Sequence, residues 1–201
     1  ASNPGLKAER AANFEIGTKQ LLYGWHFDGS VFYSNVTNAI EAVILPPPAP
    51  SGTTQSRNVG HAAYYGAELS VSGQIDDDLA FGGNYTWQIR HINTPSTVAP
   101  LQLTGDPGHK GFVYLSWNAL PELTVTPSLD LASNRWTSNT SGTIYYKTGA
   151  YALLGVAVDY RFFDRFDINA GIKNLADENY QLAGGYPAAG RSFFMELRFR
   201  Q

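Results

Sequence analysis

Hydrophobic and polar side chains alternate residue by residue along much of the chain. Within residues 79–91, Phe81 and Tyr85 fall on one face, whereas Asn84 and Thr86 fall on the other. A period of two residues is typical of a β-strand with two different faces. The same alternation recurs over residues 123–132, 166–173 and 193–200.

Extended over the whole chain, this pattern predicts nine strands. They cover residues 12–22, 25–43, 57–74, 79–93, 109–119, 123–136, 144–162, 166–173 and 191–200. Short turns such as 23–24 alternate with long connections such as 44–56 and 174–190. Barrels of the bacterial outer membrane have short turns at one end and longer loops at the other. We therefore expect an all-β fold, an antiparallel transmembrane β-barrel.

Composition changes this picture only by strengthening it. Aromatic residues make up 13% of the chain and charged residues 15%, against about 25% charged in an average globular domain. Mean hydropathy is nevertheless slightly negative, at −0.22. The reason is that uncharged polar residues and 20 glycines take the place of the missing charged residues. Such a chain suits a wall with lipid on one side and a polar lumen on the other. On composition alone, a soluble β-sandwich remains the alternative.

Aromatic residues cluster near the predicted strand ends, where the girdles of a membrane barrel lie. Those beside the short turns are Trp25, Phe27, Trp117, Tyr160, Phe162, Phe163 and Phe166, and those nearer the long loops are Tyr33, Tyr64, Tyr65, Tyr85 and Trp87. The alternative reading makes them core residues of a soluble sandwich.

Several classes of function find no support. The net charge of −3 and the absence of a basic run argue against a nucleic-acid partner. Cysteine is absent, and the four histidines have no metal-ligand spacing. There is no nucleophile motif of the type G-x-S-x-G. We therefore expect no catalytic residues, no metal site and no cofactor.

Seven short motifs then occur in order along the chain. They are residues 3–9 (NPGLKAE), 14–17 (FEIG), 58–60 with 66–69 (NVG, GAEL), 84–86 (NYT), 107–110 (PGHK), 174–180 (NLADENY) and 185–193 (GYPAAGRSF). With these motifs the chain resembles the C-terminal barrel of TonB-dependent outer-membrane receptors of the siderophore-receptor type. It departs from the family pattern at Ala8, where proline is usual, and at Gln201, since such barrels commonly end on an aromatic residue.

The resemblance implies a 22-stranded barrel that encloses an N-terminal plug domain. Residues 1–201 would then be the C-terminal part of the barrel and supply its last nine strands, with the plug and the earlier strands outside this chain. The short turns would face the periplasm and the long loops the exterior. The function implied is energy-dependent uptake of a ferric siderophore or a similar metal chelate across the bacterial outer membrane. Its partners would be the chelate, membrane lipid, and TonB through the missing N-terminal region.

The alternative is a passive pore, adhesin or structural barrel without TonB coupling.

The family binds ligand at the external mouth, which points to a set of residues near the long loops. The candidates are Arg90, His91, Arg135, Trp136, Tyr145, Tyr180, Tyr186 and Arg191. Arginine and aromatic side chains suit an anionic, aromatic chelate through charge and stacking. The competing interpretation of each is loop packing or an interface girdle. Residues 174–191 are expected mainly to organise the last external loop, and the inward charges to form inter-strand pairs.

Overall fold

The strands build one large antiparallel sheet. A computed structural model describes residues 1–50, 52–93, 101–139, 144–162 and 165–199. Within these ranges no helix is long and apolar enough to cross a bilayer. Phe163, assigned above to a girdle, lies outside the described residues, and so does residue 200 at the end of the last predicted strand.

Fifteen strands are present in the described ranges. In chain order they are β1 (Arg10–Leu22), β2 (Trp25–Thr37), β3 (Ile40–Ile44), β4 (Thr54–Asn58), β5 (His61–Gln74), β6 (Leu79–Asn93), β7 (His109–Leu120), β8 (Leu123–Ala132), β9 (Arg135–Ser138), β10 (Tyr145–Thr148), β11 (Tyr151–Phe162), β12 (Phe166–Lys173), β13 (Gln181–Ala183), β14 (Tyr186–Pro187) and β15 (Ser192–Phe199). Nine of them form the main sheet, in the order β1-β2-β5-β6-β7-β8-β11-β12-β15. The other six form three two-stranded hairpins, β3 with β4, β9 with β10, and β13 with β14.

The main sheet confirms the predicted all-β antiparallel fold with nine long strands. Each strand pairs with the next main-sheet strand along the chain, so the sheet is an up-and-down meander. The β1–β2 connection is the two-residue turn Tyr23–Gly24, in which both residues have positive φ, 51° and 82°. That conformation favours tight hairpins. The three small hairpins all lie at the opposite, long-loop end, and the total of 22 strands stays a prediction.

Four of the predicted strands were too long, because the backbone breaks where the alternation continues. Strands 25–43 and 57–74 each divide, at Asn38 (φ 55°) and Gly60 (φ 114°). These two residues lie opposite each other, and the N–H of Ala39 donates to the carbonyl of Gly60 at 3.0 Å. The β3–β4 hairpin therefore separates from the main sheet at this point. Strands 123–136 and 144–162 also divide, around 133–134 and 149–150.

The register of the sheet separates an apolar face from a polar one. Leu69 pairs with Tyr85 on the apolar face, while Ser70 pairs with Asn84 on the polar face. The apolar face is strongly exposed, as the 77% exposure of Met195 illustrates. An exposed apolar band of this extent is typical of a lipid-facing barrel surface. The polar face has a cavity of about 580 Å³ lined by charged residues, namely Glu15, Lys19, Asp28 and Glu68.

A buried cluster lies where the β3–β4 hairpin meets the main sheet. Val36, Ala39, Val59 and Ala62 form it, and Val59 is completely buried. Val36 and Ala62 are paired residues of β2 and β5, on the polar face of the sheet. Leu101 packs on the same cluster from the next long connection. The hairpin and this connection therefore fold over the polar face at the long-loop end.

Candidate functional site

Arg90 lies at the long-loop end of β6 and fixes part of the following connection. Its Nη1 donates to Asp106 Oδ2 at 2.7 Å, and its Nη2 donates to the carbonyls of Thr104 at 3.0 Å and Asp106 at 3.3 Å. The Arg90 side chain is only 14% exposed. Arg90 pairs with Tyr64 on the polar face of the sheet. It therefore holds residues 104–106 over that face.

Arg135 begins β9 and binds the same segment. Its Nη1 donates to the carbonyl of Gly105 at 3.4 Å, and its Cζ lies 5.5 Å from the centroid of the Tyr151 ring. The residue is 9% exposed. Its Nε is buried and has no hydrogen-bond partner among the described residues. Two guanidinium groups from separate strands thus converge on one short segment.

Trp136 adds an aromatic surface beside the arginines. Its carbonyl accepts a hydrogen bond from the N–H of Gly105 at 3.0 Å, and Lys147 Nζ lies 5.1 Å from its ring centroid. A cavity of about 460 Å³ is lined by Arg90, Arg135, Trp136 and Lys147, with Asp106 the acidic member of the lining. Cations next to an aromatic ring suit an anionic ligand with a flat or conjugated part.

Tyr180 extends this group from the last long connection. Its ring centroid lies 4.7 Å from that of Tyr151, the residue beneath Arg135. Burial raises the pKa of the Tyr180 hydroxyl, and the nearby Tyr151 and Asp130 act in the same direction. The hydroxyl therefore stays protonated at neutral pH and keeps its ability to donate a hydrogen bond.

The connection that carries Tyr180 is ordered by its own polar side chains. Asn174 has a φ of 52°, its Nδ2 donates to the Glu178 carbonyl at 2.9 Å, and its Oδ1 accepts from the Glu178 N–H at 2.8 Å. Asp177 Oδ1 accepts from the backbone N–H of Arg191 at 2.7 Å. These bonds order the last long connection, as the sequence predicts, whereas its external position stays a prediction.

The last hairpin is also joined to β9. The N–H of Gly184 donates to Thr137 Oγ1 at 2.9 Å, and a Cβ added at Gly184 would collide with the Tyr146 side chain. The β13–β14 hairpin therefore packs closely on the β9–β10 hairpin. The position of Tyr180 is tied to that of Arg135 through this contact as well as through Tyr151.

The structure brings together only part of the predicted site. Arg90, Arg135, Trp136 and Tyr180 are connected by the contacts above. His91 pairs with Ala63 on the apolar face and is not among the residues that line the cavity. Tyr186 is 70% exposed on β14, Tyr145 pairs with Ser138 in the β9–β10 hairpin, and Arg191 bonds through its backbone. For all eight predicted residues a role in ligand contact stays a prediction.

Sequence reasoning missed the partners of the two arginines. Asp106 lies in a connection without alternation, so nothing in the pattern marked it. Tyr151 falls on the polar face by parity, and a search for inward aromatic residues would have found it. Within the described ranges, no group of three or more His, Cys, Asp or Glu residues is arranged to hold a metal ion.

Comparison with known proteins gives a family match over most of the chain. The family model described as TonB dependent receptor-like, beta-barrel, matches residues 1–175. An uncharacterized TonB-dependent receptor of Haemophilus influenzae is 28% identical over 119 residues, which are 58% of this chain and 33% of the relative. The ferric enterobactin receptor of Pseudomonas aeruginosa is 24% identical over 229 residues, covering 97% of this chain and 30% of the relative.

Solved structures show the same fold at low identity. A copper transporter matches with a TM-score of 0.79 and 18% identity, over 98% of this chain and 32% of that chain. A mutant of the ferric enterobactin receptor of Pseudomonas aeruginosa matches with a TM-score of 0.76 and 22% identity, over 98% and 32% of the two chains. The chain thus spans about a third of the length of these proteins.

Proposed function

Because the chain belongs to the TonB-dependent receptor-like β-barrel family, we propose that it is the C-terminal part of a receptor that takes up a ferric siderophore or a similar metal chelate. Barrels of this family are outer-membrane proteins of Gram-negative bacteria. The named relatives are receptors and transporters, so the proposal is uptake rather than catalysis. The ferric enterobactin receptor, similar over 97% of this chain, supports a ferric chelate as the cargo.

One observation carries the assignment of the binding region. A cavity of about 460 Å³ at the end of the sheet where the long connections lie is lined by Arg90, Arg135, Trp136 and Lys147. Its size falls within the range of about 300–1,000 Å³ for small-ligand pockets. Its cations and aromatic ring suit a chelate whose oxygen ligands carry negative charge.

The remaining parts of the receptor belong to the proposal as well. The chain spans 33% and 30% of the first two relatives. We propose that preceding strands complete a 22-stranded wall and that an internal plug domain closes it. TonB would act through the N-terminal region, and lipid would cover the apolar face that includes Phe14, Ile16 and Met195.

The test is uptake of radiolabelled iron by cells that carry the complete receptor. We expect the cells to accumulate iron from at least one ferric chelate. This accumulation should stop when a protonophore collapses the proton-motive force across the inner membrane. Arg135→Ala should weaken chelate binding about tenfold to a hundredfold, since a charged hydrogen bond contributes about 1.5–3 kcal/mol. Lys19→Gln, at the opposite end of the polar face, is the matched control and should leave binding unchanged.

Two results would contradict the proposal. Accumulation that continues in de-energised cells would favour the passive pore. A receptor that binds no ferric chelate, although it is folded in the membrane, would favour an adhesin or a structural barrel.

A further inference from the structure

A band of nitrogen donors crosses the apolar face at its long-loop end. Two rows of cross-strand partners run there across β1, β2, β5 and β6, namely Arg10, Thr37, His61 and Asn93, and then Ala12, Asn35, Ala63 and His91. Residues two apart along a strand share a face, so both rows lie on the same side as Phe14 and Tyr65. None of these eight positions carries a carboxylate. The donor band consists of the members with side-chain N–H groups: Arg10, Asn35, His61, His91 and Asn93.

The donor band lies at the depth of lipid headgroups. On β6, Leu79 and Ile89 are the first and last apolar residues of the outward face and are ten residues apart. At about 3.3 Å per residue and a tilt of about 40°, this stretch spans about 25 Å along the membrane normal, the height of the apolar band of a membrane barrel. His91 is the next outward position and therefore lies just beyond the hydrocarbon. The paired rings of Tyr33 and Tyr65 lie next to the donor band, as expected at a membrane–water interface.

The side chains of the donor band are available to a bound group. Four of them are exposed, and Asn35 is half-buried. Among the described residues, none of the five side chains has a hydrogen-bond or ion-pair partner. Arg90 differs in this respect, because Asp106 holds its guanidinium at 2.7 Å. Arg10 therefore keeps a free positive charge at this end of the apolar face.

The chemistry of the donor band suits a phosphate group. Arg10 has a fixed charge and a planar set of N–H donors that pairs well with phosphate oxygens. His61 pairs with Asn93, so His61 and His91 are diagonal neighbours on adjacent strands, at a spacing of about 7–8 Å. Their imidazole N–H groups can bond different oxygens of one headgroup. Anionic lipid also attracts an arginine near the membrane surface.

We propose that the donor band binds the phosphate-bearing headgroups of lipids in the leaflet at the long-loop end. The acyl chains of the same lipids lie on the apolar rows beneath it, beyond Tyr33 and Tyr65. None of the five residues lines the cavity formed by Arg90, Arg135 and Trp136. The inference is therefore independent of the cargo, and its failure would leave the proposed uptake standing.

Charge argues against a second copy of the chain as the occupant of this surface. In a two-fold contact the same patch faces itself, so Arg10 would meet Arg10 without a carboxylate in the band to neutralise it. A preceding strand does not cover the band either. It would pair with the backbone edge of β1 and leave the outward side chain of Arg10 on the lipid side.

The experiment measures which lipids stay bound to the complete receptor. The receptor is placed in phosphatidylcholine nanodiscs that contain equal small amounts of lipid A and of the same glycolipid without its phosphates. Native mass spectrometry then counts the lipids that remain bound after release from the discs. The variants are Arg10→Lys and a combined variant with Arg10→Gln, His61→Gln and His91→Gln. The matched control combines Lys19→Gln with His26→Gln, a cation and a histidine of the polar face at the short-turn end.

We expect the unaltered receptor to retain the phosphorylated lipid about fivefold to tenfold more than its phosphate-free analogue, since one arginine near an anionic surface contributes about 1 kcal/mol. The combined variant should lose this preference. Arg10→Lys should keep most of it, because lysine also binds phosphate as a point charge, and the control should keep all of it. The preference should decrease between about 50 mM and 500 mM salt, because exposed charges are screened.

The contrary outcomes are equally definite. Equal retention of the two lipids by the unaltered receptor overturns the proposal, and so does an equal loss of preference in the combined variant and the control. Receptors that pair within one disc, and separate in the combined variant, would assign the band to a contact between copies instead. If the combined variant does not insert, Arg10→Gln alone is measured, and an unchanged preference in it overturns the proposal.

Discussion

The wall of the sheet and its long-loop end are built by different means. In the wall, strands β5 and β6 keep an unbroken register from His61↔Asn93 to Gln74↔Ala80, and each residue's face follows from its parity. At the long-loop end, Arg90 and Arg135 reach residues 14 to 30 positions away along the chain to hold 104–106. The wall therefore depends on a repeated pattern. The long-loop end, called the mouth below, depends on a few specific polar contacts. Substitutions in the wall should therefore lower the unfolding free energy of the whole barrel, whereas substitutions at the long-loop end should open it only locally.

The largest effect should come from placing a charge on the apolar face of the wall. Leu69→Arg should cost about 2–4 kcal/mol of unfolding free energy, the depth-dependent cost of an arginine facing lipid in a barrel. Ser70→Arg, one residue later, faces the polar side near Asp28 and should cost little. Denaturant titration of the complete receptor in bilayers measures both. An equal loss of unfolding free energy in the two variants would contradict the assignment of one face to lipid and the other to the polar side.

The next largest loss of unfolding free energy should come from adding a methyl group to a glycine of the wall that packs closely on its neighbouring strands. A Cβ at Gly66 would lie 2.8 Å from Phe32 Cζ and would collide with the Trp87 carbonyl oxygen, whereas a Cβ at Gly111 would lie 3.7 Å from its nearest neighbour, Asn84 O. Gly66→Ala should therefore cost about 1–3 kcal/mol through overpacking. Gly111→Ala is the control, and a similar loss of unfolding free energy in both variants would contradict the prediction.

A change at the mouth should leave the wall intact. Arg90→Gln removes the ion pair to Asp106 and the bond to Thr104, so the segment 101–108 should open locally. We expect protease cleavage in this segment to become several-fold faster, with the unfolding free energy of the barrel unchanged. Lys19→Gln, which loses a 3.7 Å pair with Asp28 at the other end, should change neither. A drop in global stability for Arg90→Gln would show that mouth and wall are coupled.

The smallest effect should be a pH dependence confined to the β3–β4 hairpin. Burial raises the pKa of Glu41, and the nearby Glu9 raises it further. The folded hairpin therefore binds the proton more tightly than the opened one. Its stability is highest below the ordinary glutamate pKa of 4.5 and falls as pH rises from there through the raised value. Hydrogen exchange of the hairpin amides should show this decrease, and Glu41→Gln should abolish it.

The same contrast explains what the sequence could predict. Alternation located all nine main strands and their faces, because parity is a local property of residues such as Leu69 and Ser70. It could not locate the breaks at Asn38 and Gly60, since a left-handed backbone conformation does not interrupt the order of polar and apolar side chains. Arg90 and Arg135 were identified by type and position. Their shared partner, residues 104–106, was not, because it is fixed by contacts between separate connections.

The order of strands in the main sheet bears on how the wall can form and change. Since every main-sheet strand pairs with the next one along the chain, each hairpin closes only the connection between two consecutive strands, and the entropy lost on closure grows slowly with the length of that connection. A wall of this kind can grow by adding one hairpin at a time to an existing edge. A pair of neighbouring strands can be inserted or deleted without altering the register of the others. The circumference of such a wall can therefore vary between homologues in steps of one hairpin, while the pairing rule stays the same.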